Sequence, residues 1–317
     1  MSQAKKPDYT AGIDALLKPR NIAIVGASDR PGNWAGGVFR SLSRLSFGGK
    51  IYPVNPRNET VWGGLKCYPS LADLPEKPDH VVIVVPGPAA IETVREAGKA
   101  GARSAQIFSS GFGEGGDPKG RALGEELAKA ILESGMAVAG PNCMGNLSYP
   151  DRVFAYPNPE IARVPQGPVG VIFQSGGTLQ FFMRTASQRG LRFSYAISSG
   201  NEIDLDLADY LNFLVDDPHR RQIVLFIEGI RRPKAFMDAA ARALAAGKPI
   251  MTIKTGATAK SAAAAASHTG AIAGDYQAFE AMCERYGIIN CPSLDDLVDR
   301  KSTRLNSSHI TISYAVF

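Results

Sequence analysis

Apolar residues along this chain fall into two kinds of run. Short, nearly continuous apolar stretches stop at glycine, asparagine or serine, and longer stretches between them repeat apolar positions at helical spacing. Residues 22–25, 51–54, 80–85, 105–108 and 136–139 are expected as strands, with helices over 34–45, 89–100 and 119–134. Strands that read apolar throughout, alternating with amphipathic helices, predict a parallel sheet covered on both faces. The rhythm breaks over 149–168, rich in proline and polar residues, which is expected as a linker or covering loop. It then restarts, with strands over 169–173, 193–198, 223–227, 250–254 and 288–291 and helices over 178–189, 205–215, 234–246 and 276–286. The expectation is an α/β protein: a Rossmann-like domain over 1–148, a linker over 149–168, and a flavodoxin-like domain over 169–298. The alanine run 262–266 alone predicts helix, but Gly256, Gly270 and Gly274 around it predict a loop.

The last segment, 299–317, changes character abruptly. Asp299 to His309 spells what a common short-read sequencing adapter encodes in one frame, and the remainder fits the flanking adapter bases. It is expected to be artefactual and is excluded from fold reasoning, and the natural protein is expected to continue past Val298.

Composition narrows the classes. The chain has 317 residues, 44% hydrophobic and 21% charged, which suits about two globular domains. The net charge of +5 is spread without a basic run, so no nucleic-acid partner is expected. Cys67, Cys143, Cys283 and Cys291 form no CxxC pair, so neither a metal site nor a disulfide framework is expected, and reduced thiols point to the cytoplasm. Residues 1–9 are polar and carry no signal-peptide core, and no apolar run is long enough to cross a membrane.

Candidate chemistry begins at the turn after the first strand. Gly26-Ala27-Ser28 lets a ligand phosphate approach the backbone at the start of a helix; the plain alternative is an ordinary tight turn. A dinucleotide site is disfavoured. The GxGxxG spacing is not met, since the next glycine is Gly32, and Asn55 stands where an acid should bind the ribose. In the second domain, Ser175-Gly176-Gly177 between a strand and a helix makes an anion cradle. Gly-x-Ser-x-Gly is not matched there, so it is no nucleophile elbow. His268, among small residues in Ser267-His268-Thr269-Gly270, suits a phosphoryl acceptor on a loop. Glu228, closing the strand over 223–227, can accept an imidazole N–H and fix its tautomer. Lys254 ends the next strand and is expected to help hold anions. Cys143, with no neighbouring base, reads as a packing residue, and His80 and His219 read as structural.

Five motifs occur in order in the first domain: Gly26-Ala27-Ser28, the strand through Asn55-Pro56, Val84-Val85-Pro86, Ser110-Gly111-Phe112 with Glu114, and Gly140-Pro141-Asn142-Cys143 through Gly145. The set resembles the CoA-binding domain of ADP-forming acyl-CoA synthetases and, more distantly, the succinyl-CoA synthetase alpha subunit. The resemblance extends over the second domain, where Ser199-Gly200-Asn201-Glu202-Ile203-Asp204 also matches and is expected to shape a ligand crevice.

The resemblance implies coenzyme A as cofactor, with Gly26, Ala27 and Ser28 along its phosphates and Asn55, Val84, Pro86, Ser110 and Asn142 flanking it. It implies that Ser175, Gly176 and Gly177 hold a phosphoryl group, that His268 is phosphorylated, and that Glu228 orients it. The implied reaction joins a small carboxylic acid to CoA with conversion of ATP to ADP and phosphate. ATP/ADP and Mg2+ then belong to an ATP-grasp domain or beta subunit that this chain lacks, and an oligomer is expected. A non-catalytic CoA-binding or regulatory module of a related protein acyltransferase is the alternative, and His268 argues against it.

Overall fold

The computed structural model describes residues 10–256 and 276–298. In the first half, α1 (Thr10–Leu17) leads into β1 (Asn21–Val25), α2 (Trp34–Arg44), β2 (Lys50–Val54) and a short hairpin, β3 (Thr60–Val61) with β4 (Leu65–Lys66). Then come β5 (His80–Ile83), α3 (Gly87–Lys99), β6 (Ser104–Ile107), α4 (Pro118–Ser134) and β7 (Ala137–Ala139). Five of these strands make a parallel sheet in the order β2-β1-β5-β6-β7. β5, β6 and β7 are buried at every position, as strands covered on both faces must be. Local chemistry sets the helix ends. Asn33 accepts from the N–H groups of Ala35 and Gly36 at the start of α2, Asp117 caps α4 ahead of Pro118, and left-handed Gly135 ends α4.

Val25 pairs with Val54 on one side and Ile83 on the other, so β1, β2 and β5 end level. The turns that follow them share one edge of the sheet, the carboxyl edge where open α/β sheets place ligands. At the opposite edge, buried Asp79 accepts from the backbone N–H and guanidinium of Arg20 and pairs with Arg103. The bond from Arg20, foremost, holds its carboxyl down to about 2. His80 is fully buried with Nδ1 3.0 Å from Ser104 Oγ, and burial drops its pKa to about 4. It is a neutral structural side chain at ordinary pH.

The second half contributes β8 (Asn146–Ser148), β9 (Val153–Ala155), β10 (Gln166–Phe173), α5 (Gly176–Gln188), β11 (Phe193–Ser198) and α6 (Leu207–Asp216). It ends with β12 (Gln222–Ile227), α7 (Pro233–Ala245), β13 (Ile250–Lys254), α8 (Tyr276–Arg285) and β14 (Ile289–Asn290). The sheet order is β14-β13-β12-β10-β11-β8-β9. It is parallel from β14 to β11, whereas β8 lies antiparallel on β11 and β9 antiparallel on β8. Residues 149–168 thus supply an edge strand and a 3-10 turn, and bury Tyr149, Phe154, Tyr156, Ile161 and Val164 in the second core.

The two halves are tied together. Ile13, Leu16 and Leu17 of α1 pack with Leu211 and Leu214 of α6. The segment after β11 hydrogen-bonds along the end of β7: Asn201 N–H to Pro141 O at 2.9 Å, Ile203 N–H to Gly140 O at 3.1 Å and Leu205 N–H to Val138 O at 3.2 Å. Gly200 makes this possible. Its φ is +63°, and a Cβ there would lie 2.3 Å from Pro141 O. No helix among the described residues is long and apolar enough to cross a membrane.

Candidate active site

At the carboxyl edge of the first sheet, Gly26 turns the chain at φ +94° and donates to Val54 O at 3.0 Å. A Cβ on it would stand 2.5 Å from Val84 O, so β1 and the loop after β5 close up only around glycine. Asn55 reaches across, its Nδ2 donating to Ala27 O at 2.8 Å while its Oδ1 accepts the N–H of Arg57 at 3.0 Å. Asn58 donates to the same carbonyl, and Trp62 Nε1 donates to Ser28 O at 3.2 Å. Gly26, Ala27, Ser28, Asn55 and Val84 therefore form one braced turn system. Pro86 and Ser110 are exposed on loops following β5 and β6 at that edge. The loop at Ser110 is held by Glu114, whose carboxylate accepts the N–H groups of Gly111 and Phe112 at 2.9 and 2.6 Å.

A cavity of about 550 Å³ opens where the two halves meet. Trp34, Phe108, Asn142, Cys143 and Met144 line it from the first half and the chain leaving it; Gln174 to Gly177, Gly200 to Glu202 and Glu228 to Arg231 line it from the second. The structure thus brings Asn142, Ser175, Gly176, Gly177 and Glu228 together. The turn at Gly26 lies outside this lining. Ser175 is the N-cap of α5, its Oγ 2.9 Å from Thr178 Oγ1. A Cβ on Gly177 would meet nothing within 4 Å, so the start of the helix, with its positive dipole end, is open on the Gly177 side. An anion fits there.

Glu228 ends β12, and Gln174 fixes it. Gln174 Oε1 accepts the N–H groups of Glu228 and Gly229 at 2.5 and 3.0 Å, and its Nε2 donates to Gly229 O at 2.7 Å. Lys254, expected to help hold anions, is buried; its ammonium donates to the carbonyls of Glu228 and Thr255, and burial lowers its pKa against the attraction of Glu228. Burial pushes the Cys143 thiol up to about 12, and Sγ contacts Ile107 O at 3.3 Å, which leaves it a packing group. His219 is exposed in a turn. His268 lies outside the described residues, as does the tail from Asp299. Among the described residues no cluster of three or more metal-ligating side chains occurs.

Glu202 is the residue whose chemistry the sequence conceals. It is 2% exposed, adopts φ +55°, and its Oε1 accepts from Ser199 Oγ at 2.7 Å while Oε2 meets no hydrogen-bond partner. Burial raises its pKa to about 7, with Asp206 repelling its charge and Arg231 attracting it. The motif 199–204 marks the segment, but only folding buries the carboxyl. Trp34, Gln174 and Arg231 likewise carry no local signal. Arg231 joins the site by donating to Asn201 O, a contact between residues 30 apart in the chain.

Residues 20–148 match the family model of a CoA binding domain, and residues 166–303 that of a succinyl-CoA ligase like flavodoxin domain, the latter match running past Val298. The alpha subunit of ADP-forming acetate–CoA ligase I from Pyrococcus furiosus is 33% identical over 290 residues, 90% of this chain and 62% of that one. The chain thus joins a CoA binding domain to a succinyl-CoA ligase like flavodoxin domain, and this relative is an ADP-forming acid–CoA ligase subunit. A trans-feruloyl-CoA synthase of unknown prokaryotic origin is another relative, 40% identical over 90% of this chain and 41% of its own length. An acetyl-coenzyme A synthetase of Ca. Korarchaeum cryptofilum, solved with phosphate and ADP, superposes with a TM-score of 0.85 at 38% identity, over 91% of this chain and 61% of that synthetase. The chain thus spans about half the length of the curated relatives it matches. The matched models agree with the Rossmann-like and flavodoxin-like pair expected from the strand rhythm.

Proposed function

We propose that this chain is the CoA-binding and phosphoryl-carrying part of an ADP-forming acid–CoA ligase, dividing into a CoA domain over 1–148 and a ligase domain over 169–298. The observation that carries this reading is the junction cavity. It sets the α5 cradle, a strand-end carboxylate and Asn142 from the CoA domain around one space.

Gly26, Ala27 and Ser28 are assigned to the CoA phosphates, with Val84, Pro86, Ser110 and Asn142 along its path. Asn55 contributes by holding the shape of the turn, since both ends of its amide are already bonded. Ser175, Gly176 and Gly177 hold the phosphoryl group of an acyl phosphate, their N–H groups drawing charge toward the leaving oxygen. His268 takes the phosphoryl group from ATP, with ADP as the leaving group, and passes it to the substrate carboxylate to form the acyl phosphate, while Glu228 holds the ring in the tautomer that presents a free nitrogen. The thiol of CoA then attacks the acyl carbon, and inorganic phosphate departs from the cradle. ATP/ADP and Mg2+ belong to an ATP-grasp domain or beta subunit that completes the assembly, and Mg2+ would neutralise the transferred phosphates there. The substrate is a carboxylic acid; the relatives' names include both acetate and ferulate enzymes. Four buried cysteines that form no disulfide suit the cytoplasm.

Calorimetry with CoA and with NAD tests the cofactor assignment. Saturable CoA binding is expected, and tighter binding of NAD than of CoA would overturn it.

A further inference from the structure

The cavity has a polar end and an apolar wall, and the two abut. Met144 lies directly on the α5 cradle: a Cβ on Gly176 would be 2.1 Å from Met144 Cγ. One residue further on, a Cβ on Gly145 would be 3.1 Å from Phe108 Cζ. Phe108 in turn carries Trp34 edge-on, with centroids 5.7 Å apart and planes at 88°. An apolar strip therefore runs from the phosphate cradle through Met144 and Phe108 to Trp34, and Ile230 lines the same cavity from the second half.

We propose that this strip is the acyl pocket, that it selects aromatic carboxylic acids, and that Trp34 is its specificity-determining residue. The proposal rests on the acid–CoA ligase reading above. In an acyl phosphate the acyl carbon is one oxygen away from the phosphorus. With the phosphate in the cradle, the acyl chain has to begin beside Met144. An acetyl group ends there and leaves Phe108 and Trp34 untouched. A planar aryl group continues along the strip and meets the exposed side of the indole. Trp34 is 42% exposed although it stands in a concave site on the first residue of α2. A lone exposed tryptophan is ordinary on a convex surface. In a cavity, fixed by an aromatic neighbour, it offers a preformed face for a second ring.

The test uses the 317-residue chain and calorimetric titration with CoA, acetyl-CoA and benzoyl-CoA. All three are expected to bind, with benzoyl-CoA about tenfold tighter than acetyl-CoA. Trp34→Leu is expected to bring benzoyl-CoA to the acetyl-CoA affinity while CoA binding holds, and Trp34→Phe to keep most of the preference. Equal affinities for the two thioesters in the wild-type chain, with CoA still bound, overturn the proposal and leave the ligase reading intact. A uniform loss for all three ligands in Trp34→Leu also overturns it, because Trp34 then lines the path of CoA itself. Failure of all three to bind the wild-type chain defeats the ligase reading.

Discussion

Gln174 accepts the backbone N–H of Glu228 at 2.5 Å and makes two further bonds with Gly229. One side chain, at the end of β10, thereby sets where the carboxylate at the end of β12 stands. Removing it leaves two donors and one acceptor of the β12 turn without partners. Gln174→Ala is expected to cost about 1–3 kcal/mol of stability, measured by urea unfolding. An unchanged unfolding midpoint would show that water replaces the amide without loss.

Glu202 predicts a pH dependence of defined sign. Its folded pKa of about 7 lies above the ordinary value of 4.5, so the folded chain holds a proton that the unfolded chain releases. Its contribution is neutral below pH 4.5 and becomes increasingly unfavourable as pH rises toward 7, reaching on the order of 3 kcal/mol. The groups facing it are Asp206, Arg231, Ser199 and Gln174. Glu202→Gln is expected to be more stable than the wild type at pH 8 and to match it near pH 4.5. Asp79 acts in the opposite sense. Its contribution is present above pH 3.8 and is lost as pH falls through about 2. A stability difference between Glu202→Gln and wild type that stays flat from pH 4.5 to 8 would contradict the raised pKa.

Gly200→Ala places a methyl group 2.3 Å from Pro141 O, on a backbone with φ +63°. The expected loss is on the order of 3 kcal/mol, read from denaturant unfolding, because the segment carrying Asn201, Ile203 and Leu205 has to draw back from β7. Wild-type stability would mean that the two halves are not held at this approach.

Phosphorylation should map to His268. With a compatible ATP-grasp partner and labelled ATP, the chain is expected to take up an acid-labile, base-stable label that His268→Ala abolishes while CoA binding persists. Glu228→Gln keeps an acceptor but loses the charge that favours the phosphorylated ring, and labelling should slow about tenfold, or about 1.4 kcal/mol. Label found on His80 or His219 would remove His268 from the mechanism.

Truncation after Val298 should change stability by no more than about 0.5 kcal/mol, as expected for a segment read as adapter-encoded. Leu297 and Val298 remain and stay buried in the second core. A large drop in melting temperature would show that 299–317 contributes structure.

The sequence alone determined the order and kind of nearly every long element. A strand buried on both faces has to be apolar throughout, and a helix on a sheet has to repeat its apolar face, so burial writes itself locally into β1, β5, β10 and β12 and into α3 and α4. It also located Ser175 to Gly177 and Glu228 at strand ends, where parallel sheets place their chemistry. It gave no sign of α1, a short helix containing Gly12 that is held by packing on β6, β8 and α6. Nor did it show that β8 and β9 extend the second sheet antiparallel, because each has only three residues and pairing partners are chosen at long range. Tertiary structure alone decided that Lys254 serves carbonyls, that Glu202 keeps its proton near neutrality, and that Trp34, Phe108 and Met144 form one wall. Each depends on burial and on neighbours brought from distant parts of the chain, which set solvation and contact and leave no trace in local residue order.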